Sequence, residues 1–239
     1  MGKIYLVTFA NGNIYEESQQ NINNTISIAN IDEHIMWNLD KLKNTNFYKE
    51  NKKLLDIEIG NGYWAWKPYI ILEELSKIND DDTLIYMDAS RYETDGFKNS
   101  CIDVLNFMKN NNIDIIPGFE NNNKNDIMIK NTCLEFFNLK EDNIFLNKIN
   151  VFTSPMFLKK TIFTLKFIKE WLDNCLIENI ISHEDLSYKN GKIHIYDQAI
   201  LNCLLYKYNI ISYKPLTNNE KEFRKFSYYF DFFKSINKD

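Results

Sequence analysis

The segment that most constrains this chain is Thr83-Leu84-Ile85-Tyr86-Met87-Asp88-Ala89-Ser90. Residues Thr83 to Met87 form an apolar run of the length and composition of a buried strand. The run ends in a carboxylate and a small polar residue. Open α/β sheets bind ligands in the crevice outside the carboxyl ends of their strands, so Asp88 stands where a site belongs. Just upstream, Gly60-Asn61-Gly62-Tyr63-Trp64-Ala65-Trp66-Lys67-Pro68-Tyr69 gathers two glycines, two tryptophans and a lysine. Together the two runs point to a site for a nucleotide that carries a diphosphate.

The surrounding pattern alternates strands and helices. Lys3 to Phe9 reads as a strand that breaks at the turn signal Asn11-Gly12-Asn13. Ile22, Ile26 and Ala29 fall at helical spacing within Tyr15 to Ala29. Ile31 to Trp37 reads as a second strand and Leu39 to Tyr48 as a loop or helix. Pro68 opens a helix that runs to Ile78, because proline is tolerated in a first helical turn. This β-α-β-α-β order predicts an α/β fold with a mostly parallel central sheet covered by helices.

Beyond residue 100 the pattern is less regular. Helices are expected at Cys101 to Lys109, Ile127 to Phe137, Thr161 to Cys175 and Asp197 to Tyr208. The third is amphipathic, with Ile162, Leu165, Ile168 and Leu172 on one face. Strands are expected at Ile113 to Pro117, Asn150 to Phe157 and Gly191 to Tyr196. Asn121 to Asp126 reads as an asparagine-rich loop. The abundance of asparagine carries no functional weight in this reading. No repeat and no Pro-, Gly- or Ser-rich linker divides the chain, so 1–239 reads as one domain with two halves.

Composition excludes some functions. A formal net charge of −5 argues against a nucleic-acid partner, which needs a basic surface. The four cysteines, Cys101, Cys133, Cys175 and Cys203, are dispersed and form no C-x-x-C pair. They predict buried thiols in a reducing, cytoplasmic setting. The first ten residues are too short and strand-like for a signal peptide. No run has the length of a membrane span.

Three blocks also carry a resemblance: Gly60 to Ile71, Asp82 to Ser90, and His194-Ile195-Tyr196-Asp197-Gln198. In this order and spacing, together with Val7 to Gly12, the chain resembles a family of GT-A fold glycosyltransferases of bacterial polysaccharide clusters and large DNA viruses. The resemblance implies a GT-A-like domain, with a Rossmann-like nucleotide-sugar half before about residue 100 and an acceptor half after it. It implies a glycosyltransferase of hexosyltransferase type, acting in surface polysaccharide or glycan biosynthesis. The sugar would pass from a nucleotide-sugar donor such as a UDP-sugar to a glycan or lipid-linked saccharide acceptor, usually with Mn²⁺ or Mg²⁺.

Asp88-Ala89-Ser90 occupies the place of the family's Asp-x-Asp motif, with Ser90 where the second aspartate would stand. The resemblance makes Asp88 and Ser90 metal ligands, with His194 as a further one, or with Lys67 and Arg91 acting as point charges on phosphate. Thr8, Phe9 and Ala10 would hold the base and ribose. Trp64 would line the pocket, Lys67 would approach the diphosphate, and Ala89 and Gln198 would contact the donor. Asp197 would act on a sugar hydroxyl or as a general base, with Glu184 and Asp185 as other candidate bases, since transfer needs a group within hydrogen-bond reach of the acceptor hydroxyl.

Each residue also has a plain structural reading. Asp88 can cap a turn, Asp197 can cap a helix, and Trp66 can be a core residue. His194 can be a satisfied structural histidine, and Glu184 and Asp185 a solvated loop. The aromatic and basic tail from Phe223 to Lys234 is either a peripheral membrane contact or a closing helix. Two other functions stay open: a sugar nucleotidyltransferase, whose Gly-rich signature Asn11-Gly12-Asn13 does not match, and a degenerate sugar-binding or scaffold protein.

Overall fold

The buried run Thr83–Asp88 forms the central strand of a five-stranded sheet, in a computed structural model that describes residues 2–89, 97, 99–183, 193–214 and 233. The strands are β1 (Ile4–Ala10), β2 (Glu33–Asn38), β3 (Thr83–Asp88), β4 (Ile115–Ile116) and β7 (Met156–Lys159), in the spatial order β2-β1-β3-β7-β4. A separate pair, β5 (Glu120–Lys124) and β6 (Ile149–Val151), runs antiparallel. β1 is parallel to β2 and β3, while β7 is antiparallel to β3 and β4. The sheet is therefore mostly parallel, with one reversed strand. Strands from both halves of the chain build it.

The helices are α1 (Asn13–Asn23), α2 (Leu39–Lys43), α3 (Asn46–Glu50), α4 (Lys52–Leu55), the single turn α5 (Gly60–Tyr63) and α6 (Trp66–Lys77). They continue as α7 (Ile102–Asn110), α8 (Asn125–Met128), α9 (Asn131–Phe136), α10 (Asn143–Asn147), α11 (Ile162–Cys175), α12 (Glu178–Ile181) and α13 (Tyr196–Lys207). Both faces of the sheet are covered. Val7, Leu84 and Tyr86 pack with α6, α11 and α13, whereas Leu6, Ile85 and Met87 pack with α1 and α7. That period of two, apolar on both faces, is the pattern of a strand buried on each side.

Several boundaries differ from the sequence reading. The first helix stops at Asn23, where the Thr25 hydroxyl donates back to the carbonyls of Asn21 and Ile22 and competes with the helical ladder. The helix expected from Ile127 to Phe137 is two short ones, parted by extended backbone at Ile129 and Lys130. Residues 121–124 of the supposed asparagine loop belong to β5. The strand expected from Asn150 to Phe157 is split into β6 and β7 by residues 152–155. Only residues 115 and 116 of the expected 113–117 strand pair. Residues 193–195 form no strand; Ile193 and Ile195 donate to the carbonyls of Ile127 and Met128 at the turn of α8.

Among the described residues no helix is long and apolar enough to cross a membrane. The 223–234 tail lies outside the described residues except Phe233, which packs on Phe107 and Tyr213.

Candidate functional site

A cleft of about 840 Å³ opens at the carboxyl edge of the parallel strands. Phe9 and Asn11 reach it from the end of β1, Met87 to Ala89 from the end of β3, and residues 152–155 from the start of the reversed strand β7. Gly60, Asn61, Trp64 and Trp66 form another wall, with Gln198 of α13 beside them.

Lys67 sits beneath the cleft, in contact with the lining residues Asp88 and Thr153. It is 3% exposed, on the first turn of α6, and its ammonium meets groups from three other segments. Nζ donates to Thr153 Oγ1 at 2.7 Å and lies 3.3 Å from Asp88 Oδ1 and 3.4 Å from Asp197 Oδ2. Of these, Thr153 takes a hydrogen bond, while the two carboxylates are held as ion pairs. Burial alone disfavours the charged lysine, yet the carboxylates of Asp197 and Asp88 outweigh it and hold its pKa above the ordinary value.

The two carboxylates differ. Asp88 ends β3 with its side chain 43% exposed, its Oδ1 accepting from Tyr86 Oη at 2.6 Å, and its backbone N–H donating to Ser154 Oγ at 2.9 Å. It faces the cleft. Asp197 is buried beneath Lys67 as the second residue of α13, and it does not cap that helix, because Ile195 takes the cap position. Its pKa is raised to about 6, chiefly by burial; Lys67 pulls the value down and Asp88 pushes it up. Asp197 Oδ2 accepts no well-directed hydrogen bond and rests on the 3.4 Å approach of Lys67 alone. That is longer than the roughly 2.7–2.9 Å of a tight charged bond.

The aromatic wall is held by unusual backbone. Gly60, Asn61, Gly62, Tyr63 and Trp64 all have positive φ, between 51° and 88°. A left-handed run costs roughly 1–2 kcal/mol for each residue with a side chain, so it persists only where surroundings impose it. Here the Gly62 N–H bonds Ile57 O at 2.8 Å, the Tyr63 N–H bonds Ile59 O at 2.7 Å, and Trp66 Nε1 bonds Gly60 O at 2.8 Å. A Cβ on Gly60 would come within 2.4 Å of the Trp64 ring, and one on Gly62 within 2.7 Å of Leu54 O. The run thereby seats Trp64 at the cleft and against Tyr196, while Trp66 is 4% exposed and stacks on Phe9 at 3.8 Å. Trp66 is both core and cleft wall.

Of the residues picked from sequence, Phe9, Trp64, Asp88, Ala89 and Gln198 line the cleft, with Lys67 and Asp197 beneath it. Thr8 and Ala10 do not line it. Thr8 is fully buried on the α1 side, where its hydroxyl accepts from Gln19 Nε2 and meets His34 Nε2, each at 2.8 Å. Alternation along β1 puts Thr8 and Phe9 on opposite faces, so both cannot face one ligand. His194 is 1% exposed, is absent from the cleft wall and accepts from the Lys130 N–H at 3.4 Å. Burial, with the charge of Lys130 nearby, drives its pKa to about 3, so it is neutral. Ser90, Arg91, Glu184 and Asp185 lie outside the described residues.

The reading from sequence missed Thr153, Ser154 and the amides under Gln198. The Thr-Ser-Pro break inside an apolar run was the available signal for the first two.

Among the described residues no group of three or more His, Cys, Asp or Glu side chains gathers as a metal site. The charge balance is nevertheless one-sided. Among the described residues, Glu58 and Asp88 line the cleft and Asp197 lies below it, with the ammonium of Lys67 against Asp88 and Asp197. A cation would offset the repulsion between these carboxylates and a diphosphate, and the open carboxylate of Asp88 is a hard oxygen ligand of the kind Mg²⁺ and Mn²⁺ take. Asp88 fits that role and His194 does not.

Comparison of the chain with protein-family models and with curated proteins gave no match.

Proposed function

We propose that this protein is a GT-A-type glycosyltransferase that binds a nucleoside-diphosphate sugar in the cleft at the ends of β1 and β3. It passes the sugar to a glycan or lipid-linked saccharide acceptor in surface-glycan assembly. One observation carries this reading: Asp88 and Thr153, which line a single cleft at the carboxyl edge of the sheet, converge with Lys67 and Asp197 just beneath it, from four separate segments. A polar group that far from its partners in sequence is brought together at a cost, and open α/β sheets place ligands at this edge.

The residues divide the work by position. Asp88 presents its carboxylate to the incoming diphosphate side of the cleft. A bound Mn²⁺ or Mg²⁺ held by Asp88 would neutralise charge on the departing nucleoside diphosphate. Lys67 does not contact the phosphate directly, because it is buried with its ammonium turned to Thr153, Asp88 and Asp197; it fixes Asp88 and acts through space. Asp197 is the counter-charge that keeps Lys67 protonated, a positioning role in place of general base. Trp64 offers an aromatic face, a good surface for a sugar or base.

A thermal-shift screen of UDP-, GDP-, dTDP- and CMP-sugars, with and without Mn²⁺, tests the reading. A ligand that binds only the folded chain raises its melting temperature with concentration. One nucleotide series that shifts it, and whose sugar is released or transferred, is the expected result. A flat screen on folded protein would overturn it, and a shift without turnover would favour a sugar-binding protein.

A further inference from the structure

The asparagine-rich segments carry to the cleft a chain of amide side chains whose hydrogen bonds run in one direction. At its inner end, Asn125 Nδ2 donates to the carbonyl of Phe145 at 3.1 Å, and a carbonyl only accepts. Asn125 Oδ1 therefore faces Asn150, whose Nδ2 donates to it at 2.9 Å. That turns Asn150 Oδ1 outward, where Gln198 Nε2 donates to it at 2.6 Å. A side branch fixes the same direction independently. The backbone N–H of Asn123, which only donates, reaches Asn121 Oδ1 at 2.7 Å, so Asn121 turns its Nδ2 to Asn150 Oδ1 at 3.2 Å.

An amide can be turned over without changing its shape, so its neighbours decide its polarity. Here both ends of the network are backbone groups that cannot be turned over. Asn121, Asn125 and Asn150 are buried, and reversing any of them would set donor against donor away from bulk solvent. Gln198 is the outermost member and the one that lines the cleft. With one Nε2 hydrogen taken by Asn150, Oε1 is the acceptor left for a ligand, and no donor among the described residues reaches it.

We propose that Asn150 and Asn125 are positioning residues that hold Gln198 with its oxygen toward the cleft, so that the site selects a ligand hydroxyl there. That hydroxyl belongs to the sugar of the bound nucleotide, an assignment that rests on the glycosyltransferase reading; the direction of the amide chain does not.

Two measurements separate the claims. In ¹⁵N-labelled full-length protein without ligand, one Gln198 side-chain amide proton should exchange slowly with solvent, and Asn150→Ala should make it fast. Fast exchange in the folded parent chain overturns the positioning role. For the ligand, UDP-, GDP- and dTDP-glucose are titrated beside their monodeoxy forms. Removing one particular hydroxyl should weaken binding about tenfold in the parent chain, and about twofold or less in Gln198→Met, where the acceptor is gone. An equal penalty in both chains overturns the assignment to Gln198. Failure of all three nucleotides to bind overturns the sugar assignment, the glycosyltransferase reading falls only with the full nucleotide-sugar screen, and the exchange result still decides the amide chain. Gln198 is half-buried, so Gln198→Met serves even where Asn150→Ala fails to fold.

Discussion

The two edges of the parallel strands both carry aspartates, and they treat them differently. At the amino edge, Asp82 Oδ1 accepts from the Lys3 N–H at 2.7 Å and Oδ2 from the Asn79 N–H at 3.0 Å, while Asp32 Oδ2 accepts from the Ile4 N–H at 2.7 Å. These carboxylates staple strand starts to neighbouring backbone. At the carboxyl edge, Asp88 and Asp197 share a lysine, Asp88 also accepts from a tyrosine hydroxyl, and Asp88 stays open to a cleft. Burial does not separate the two kinds, since Asp82 and Asp197 are each 4% exposed. What separates them is the shared lysine. Backbone N–H donors alone fix Asp82 for the fold, whereas a lysine between two carboxylates leaves charge available to a ligand.

The comparison breaks most severely at Lys67. Lys67→Met should remove about 3–5 kcal/mol from the unfolding free energy, because it leaves Asp197 buried without its counter-charge. Transfer should be lost with it, and urea unfolding gives the first number. A stability change below about 1 kcal/mol would mean that the carboxylates are solvated and that no ion triad exists.

Asp88→Asn should act almost wholly on function. Turnover is expected to fall by about 10²–10³-fold, the scale of losing one electrostatic group at a reacting centre. Its melting temperature should stay near that of the parent, as the side chain is 43% exposed. Asp82→Ala should do the opposite, costing about 1–3 kcal/mol through two unsatisfied backbone donors and leaving turnover per folded molecule intact. If the two variants behaved alike, the edges would not differ in kind.

Much of the carboxyl edge is legible in the sequence. Thr83–Asp88 is apolar on both faces and ends in a carboxylate, and strand direction alone then places Asp88 at the ligand-binding edge and Asp82 at the other. The cluster of Gly60, Gly62, Trp64, Trp66 and Lys67 is visible by composition, though its left-handed backbone is not. The rest depends on pairings remote in sequence. Thr153 lies 86 residues from Lys67, and Asn150 lies 48 from Gln198. No local period records such a bond, and an asparagine in a buried amide chain reads like any asparagine in a loop. Thr8 failed for a simpler reason: one residue of offset along a strand reverses the face.

Titration of Asp197 gives the smallest effect and the finest test. Its folded pKa, about 6, is above the ordinary 3.8, so protonation favours the folded state. This contribution is fully present below about pH 3.8 and is lost as pH rises through about 6. Relative to Asp197→Asn, the parent chain should therefore gain stability as pH falls from 7 to 4, with the change centred between those two values. Activity should move the other way: below about pH 6 a protonated Asp197 no longer balances Lys67, and the lysine draws on Asp88 instead. The acid limb near pH 6 should be present in the parent and absent from Asp197→Asn, whatever its residual rate. A limb that survives the substitution would assign the titration to another group, and Asp197 would then join Asp82 as a carboxylate that serves the fold.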